Sequence, residues 1–187
     1  MIVSLTGFMG CGKSSVGRKL SELLCCRFLD LDDAIVERER RSIPEIFATD
    51  GEAEFRRIEK DILNNIIDSY GKTQNKISEI NADVILALGG GAVMQEECER
   101  MVHEGTLCIY LKASVDTLLR HLESQATGRP LLNMESSLRE RILDMMDKRA
   151  ATYERTAHHI IETDGKAIEE IAAEIIDLLT PSTQGRE

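Results

Sequence analysis

Gly7 to Ser14 read GFMGCGKS: a glycine, four residues, a second glycine, a lysine and a serine. This spacing belongs to a loop that holds the phosphates of a nucleotide. Glycines let the backbone curl until successive N–H groups point at one set of anionic oxygens. A helix opening at the loop's end adds about half a positive charge in the same place. Lys13 is spaced to reach the β- and γ-phosphates, and the Ser14 hydroxyl to ligate Mg²⁺. Gly10, Cys11, Gly12, Lys13, Ser14 and Ser15 are the candidate nucleotide-binding residues.

Three further groups have types and spacings suited to chemistry. Asp30 and Asp32 flank Leu31 at the end of an apolar stretch. On an extended strand, residues two apart share a face, so both carboxylates would meet one cleft. One would hold a metal, directly or through water, and the other would take a proton from an attacking hydroxyl. The alternative is that they cap the next helix, with Asp33 as another capping candidate. Gly89, Gly90 and Gly91 follow the run VILAL. Three glycines there imply close backbone approach or positive φ, and their N–H groups suit a substrate hydroxyl or carboxylate; a plain connector is the alternative. Arg56, Arg57, Arg129 and Arg149 are the informative cations. A guanidinium can grip a carboxylate with two parallel hydrogen bonds, or close over a transferring phosphate from a loop. Taken singly each is a solvated charge, and the residues alone do not choose between Arg56 and Arg57.

Alternating elements must position these groups. Short apolar runs predict strands at Ile2–Leu5, Arg27–Leu31, Val84–Leu88, Thr106–Leu111 and His159–Thr163. Helical patterns lie at Lys13–Leu24, Asp33–Arg40, Glu52–Ile67, Gln95–His103, Val115–Leu122, Leu138–Glu154 and Lys166–Leu179. Ser42, Pro44 and Glu45 form a capping-box pattern, so a short helix should start there. The alternation predicts a parallel sheet with right-handed crossovers, whose carboxyl edge carries the ligand. Ser69–Ala82 and Ser124–Ser136 read as loops, and Thr180–Glu187 as a frayed tail.

At 187 residues the chain suits one domain with a proper core. Lys and Arg number 23 against 33 Asp and Glu, a net charge of −10, which argues against broad nucleic-acid or anionic-membrane binding. Positive charge must therefore be gathered locally to meet phosphate. No run of about eighteen apolar residues occurs, so no membrane span is expected. Met1 leads straight into the first strand, so no signal peptide is expected. The five cysteines, Cys11, Cys25, Cys26, Cys98 and Cys108, are odd in number and lack a C-x-x-C pair, which fits a reduced, cytoplasmic setting. Cys25 and Cys26 are expected as small buried thiols, and oxidation of Cys11 would block the phosphate loop. His103, His121, His158 and His159 show no metal-site spacing.

In order along the chain, GFMGCGKSSVG (7–17), FLDLDDAI (28–35), SIPEIFATDGEAEFRRIE (42–59), LGGGAV (88–93), RPLL (129–132) and KRAATYE (148–154) resemble the segments of shikimate kinases over nearly the full length. The resemblance implies an α/β, three-layer P-loop kinase related to nucleoside monophosphate kinases. It would have a five-stranded parallel sheet, a helical substrate-binding subdomain at about 32–60 and a mobile lid at about 123–136, all in one domain over 1–180. It implies ATP-dependent phosphorylation of the shikimate 3-hydroxyl, in aromatic amino-acid biosynthesis, by a cytoplasmic monomer. By motif, Lys13 and the loop would hold ATP, with Mg²⁺ at Ser14 and Asp30. Asp32 would be the base, Arg56 and Arg149 would clamp the shikimate carboxylate beside Gly89, Gly90 and Gly91, and Arg129 would be the lid arginine. Two departures stand out. Where the family often has an arginine against adenine, Arg120 and His121 compete for the position, and Ser69–Ala82 is longer than usual, which predicts a surface excursion.

Three other readings remain. A kinase of the same fold acting on gluconate or a nucleoside monophosphate would lack a use for the paired arginines and the triple glycine. A switch GTPase has superficial support in Asp68-Ser69-Tyr70-Gly71 and Asn75-Lys76, but Ser78 stands where guanine recognition needs an aspartate. A kinase that binds without catalysis would lack a catalytic residue, and none of the expected ones is missing.

Overall fold

The computed structural model describes residues 1–71, 82–125 and 135–180. Five strands form one all-parallel sheet in the order β2-β3-β1-β4-β5. They are β1 (Ile2–Thr6), β2 (Arg27–Asp30), β3 (Val84–Ala87), β4 (Leu107–Lys112) and β5 (His159–Glu162). The helices are α1 (Lys13–Leu23), α2 (Leu31–Glu39), α3 (Ile43–Tyr70), α4 (Glu96–Gly105), α5 (Val115–Gln125), α6 (Glu135–Thr156) and α7 (Ile168–Leu179).

The central strands are apolar on both sides because helices cover both faces. Ile2, Val84 and Leu86 belong to one buried cluster, with side chains of α2, α3, α4 and Tyr153 of α6. Val3, Leu5, Ile85, Ile109 and Leu111 belong to the other, with α1, α5 and α7. This is the three-layer architecture expected. β1 and β3 pair in register from Ile2 with Val84 to Leu5 with Ala87, so their exits lie side by side. The phosphate loop and the triple glycine therefore leave the same sheet edge as neighbours.

The structure corrects several boundaries. β2 stops at Asp30, and Leu31 is already helical, because Asp30 caps α2 with its side chain on the Asp32 N–H. The helix expected from Ser42 and the one expected from Glu52 form one element, α3, kinked at Gly51 with φ 81° and ψ 174°. The capping box at Ser42 and Glu45 is formed as expected. Cys25 is exposed and Cys26 half-buried, contrary to the expectation of two buried thiols. α5 continues to Gln125 and α6 begins at Glu135, so both ends of the expected lid are helical. Arg129, the rest of that lid, most of the 69–82 excursion and the 181–187 tail lie outside the described residues. Among the described residues no helix is long and apolar enough to cross a membrane.

Candidate active site

α1 opens on Gly12 at φ 97° with no side chain capping it, so its first-turn N–H groups are left to an anionic ligand. Lys13 Nζ lies over the loop and donates to the carbonyls of Gly7 at 2.9 Å and Phe8 at 3.0 Å. Cys11 is buried beneath it, with Sγ 3.9 Å from Nζ. The Ser14 hydroxyl donates to Asp30 Oδ2 at 2.6 Å, while Asp30 Oδ1 accepts the Asp32 N–H at 3.0 Å. Asp30 thus serves as helix cap and as partner of the phosphate-loop serine. Of the two readings drawn from the sequence, the helix cap is formed.

Asp32 sits in the first turn of α2, not on a strand. Convergence of the two carboxylates comes from the cap, which folds the chain back at Asp30, and not from strand alternation. Burial pushes the Asp32 carboxyl above the ordinary aspartate range; the Asp30 charge pushes the same way, and Lys13 and Arg56 pull against it. A carboxylate so placed is a stronger base than one in water.

The triple glycine binds the site together by close approach. A Cβ on Gly89 would stand 2.8 Å from Asp32 Oδ1, and one on Gly91 would stand 2.6 Å from Arg56 Nη2. One on Gly90 would stand 3.3 Å from the Met9 nitrogen of the phosphate loop. None of these three glycines has positive φ, so closeness, not backbone strain, requires glycine here. The Gly90 carbonyl accepts from Arg149 Nη1 at 3.3 Å.

Arg56 and Arg57 part company. Arg57 points to solvent, paired with Glu54 and Asp61. Arg56 turns to the glycine loop and donates from Nη1 to Glu59 Oε2 at 2.6 Å. Glu59, 1% exposed, is the residue that sequence reasoning passed over. The signal was available: a glutamate one helical turn beyond an arginine, on the face that buries Phe55 and Ile62.

A cleft of about 600 Å³ runs from Asp32 and Gly90 along the phosphate loop to α5 and the β5–α7 turn. At its far end stand Thr117, Arg120 and His121 on one side, and Thr163, Gly165, Lys166 and Ile168 on the other. Arg120 Nη2 donates to Thr117 Oγ1 at 2.9 Å, and His121 Nδ1 donates to the Gly10 carbonyl at 2.7 Å.

A parallel sheet in this order, a phosphate loop at its carboxyl edge, and an acid–arginine pocket beside it define a P-loop phosphotransferase acting on a small acidic acceptor. The family model for shikimate kinase matches residues 9–180. A shikimate kinase of Salinibacter ruber is 37% identical over 98% of this chain and 87% of its own length. One of Dictyoglomus turgidum is 38% identical over 95% of this chain and 96% of its own. The solved shikimate kinase of Acinetobacter baumannii, in complex with shikimate, superposes with a TM-score of 0.81 at 31% identity, covering 98% of this chain and 95% of that one. The chain belongs to the shikimate kinase family, and its activity is the ATP-dependent phosphorylation of shikimate.

Proposed function

We propose that the chain transfers the γ-phosphoryl of Mg·ATP to the 3-hydroxyl of shikimate, giving 3-phosphoshikimate and ADP. One observation carries the assignment of roles. Asp32 and Gly90 line the cleft of the phosphate loop, Asp32 and Arg56 close on Gly89 and Gly91, and Arg149 reaches the Gly90 carbonyl.

The donors present fit Mg²⁺. Ser14 Oγ and Asp30 Oδ2 are hard oxygens 2.6 Å apart. Mg²⁺ is commonly held by one or two protein oxygens, with phosphate and water completing its shell. No cluster of three or more His, Cys, Asp or Glu able to hold a metal occurs among the described residues. When bound, Mg²⁺ supplies charge neutralisation on the phosphates.

Phosphoryl transfer needs positioning and charge compensation more than covalent participation. Lys13 and the first N–H groups of α1 hold the β- and γ-phosphates. Arg56 and Arg149 grip the shikimate carboxylate, which fixes the ring against the glycine loop. Asp32 accepts the 3-hydroxyl proton as that oxygen attacks in line. The family resemblance gives Arg129, outside the described residues, the role of the lid arginine over the transferring group, and gives α2 with the first half of α3 the role of the substrate-binding subdomain. Arg120, facing the β5–α7 turn, takes the adenine. His121 is occupied at Gly10 and takes no part in stacking. Five unpaired cysteines suit a reduced cytoplasm.

The test is ADP release from ATP with shikimate, gluconate and nucleoside monophosphates in parallel, with the product's phosphate located by ³¹P NMR. Turnover confined to shikimate is expected, with Arg56→Ala raising KM for shikimate far more than KM for ATP. Preference for another acceptor, or phosphate on another hydroxyl, overturns the reading.

A further inference from the structure

We propose that the Tyr153 hydroxyl is a positioning group for shikimate: it fixes the Gly90–Gly91 peptide on which acceptor binding depends. The inference rests on the functional reading above.

Tyr153 is wholly buried, and its ring packs on Tyr110 of β4 at 5.2 Å between centroids. Burial pushes its hydroxyl up to about 12, so it stays protonated and donates. Its partner is the Gly90 carbonyl, at 2.5 Å. Arg149 Nη1 reaches the same oxygen at 3.3 Å. Arg149 and Tyr153 stand four residues apart on α6, hence on one face of that helix.

Both donors meet one carbonyl oxygen, and Arg149 spends only Nη1 on it. That leaves the rest of the Arg149 fork for a carboxylate. The Gly90–Gly91 peptide is trans, so its N–H points opposite to its carbonyl. Anchoring the oxygen on α6 therefore also fixes the N–H, directed away from Tyr153. On its other side Gly90 faces the phosphate loop at Met9. One hydroxyl thus ties the acceptor loop and the substrate arginine to a rigid helix. An untethered triple glycine would have many conformations open to it.

The experiment compares wild type, Tyr153→Phe and Tyr110→Phe. Phenylalanine at 153 keeps the ring and removes only the hydroxyl. KM for shikimate is expected to rise about tenfold in Tyr153→Phe, with KM for ATP within about twofold. Amide hydrogen exchange over residues 89–94 of the ligand-free protein should also rise. Tyr110→Phe alters the packing partner without touching Gly90, and should change neither. Unchanged exchange in Tyr153→Phe, an unchanged shikimate KM, equal rises in both KM values, or the same losses in Tyr110→Phe would each overturn the proposal. The exchange measurement needs no substrate, so it stands even if wild type fails to phosphorylate shikimate. That failure would count against the functional reading instead.

Discussion

Arg56 Nη1 and Glu59 Oε2 stand 2.6 Å apart, one turn along α3, with the carboxylate buried and the arginine side chain 21% exposed. The guanidinium thus lies between the buried Glu59 carboxylate and the glycine loop at Gly91, and both restrict how the fork can turn. Arg56's other carboxylate, Glu52, is more distant at 3.5 Å and mostly in solvent. Glu59→Gln keeps the shape and an acceptor but removes the charge. It is expected to raise KM for shikimate by about tenfold with kcat little changed, since a charge-assisted bond is roughly twice as strong as a neutral one. Initial rates at varied shikimate check this; an unchanged KM would show that Arg56 needs no orienting partner.

Gly91→Ala should act through the same guanidinium. The added methyl would meet Arg56 Nη2 at 2.6 Å and Nη1 at 2.9 Å. Gly91 has φ −114°, which alanine adopts without strain. The group that must move is the far end of a flexible side chain, so the loop stays and the arginine shifts. KM for shikimate is expected to rise about tenfold, while the melting temperature changes by no more than about 3 °C. A large drop in melting temperature would show that the loop, not the arginine, gives way.

In the proposed mechanism Asp32 is the base, and it supplies the pH dependence. Its carboxyl lies above the ordinary range through burial first and the Asp30 charge second. It therefore takes up a proton, and stops serving as a base, while a solvent-exposed aspartate is still ionised. kcat should fall as pH drops through that raised value. Glu59 shifts the same way, again through burial, so acid should also weaken shikimate binding. Stability has the opposite sign. A carboxyl raised in the folded state adds stability that is present below its unfolded value and is lost as pH rises through the raised one. Acid should thus silence the enzyme while these two groups, once protonated, favour the folded state. Asp32→Asn should lower kcat by about 10²-fold or more and abolish this acid limb. Persistence of the limb in that variant would assign it to another group.

What could be read from the residues, and what could not, follows from the range of the interactions concerned. The phosphate loop is local: its glycines, Lys13 and Ser14 act within eight consecutive residues. The strands were legible as apolar runs, and their alternation with helices dictates a parallel sheet. Asp32 was legible as a cleft residue but not as a helical one. Whether Asp30 ends a strand or caps a helix turns on a hydrogen bond to a backbone N–H, which periodicity does not register. Arg56 and Arg57 are identical in type and adjacent; only the helix phase set by Phe55 and Ile62 separates them. Glu59 and Tyr153 act through groups 3 and 63 residues distant. A buried carboxylate and a buried hydroxyl look like helix surface and core until the fold brings their partners near.

Lys13 offers the sharpest test of the phosphate loop. Two of its three donors are engaged by the Gly7 and Phe8 carbonyls, inside the loop it belongs to. Those bonds hold the ammonium over the hollow that the N–H groups of α1 face, so its charge is in place before nucleotide arrives. Lys13→Ala removes a full charge from the point where γ-phosphate charge must be compensated, and turnover is expected to fall by at least about a thousandfold. Lys13→Arg should not restore it. A planar fork cannot direct donors to two loop carbonyls and a phosphate as a tetrahedral ammonium can. Stability should change little in either variant, because half-buried bonds of this kind contribute only about 1 kcal/mol each. Single-turnover ADP formation alongside thermal melting separates the two effects. Near-normal turnover in the arginine variant would mean that charge alone, without its geometry, carries the step.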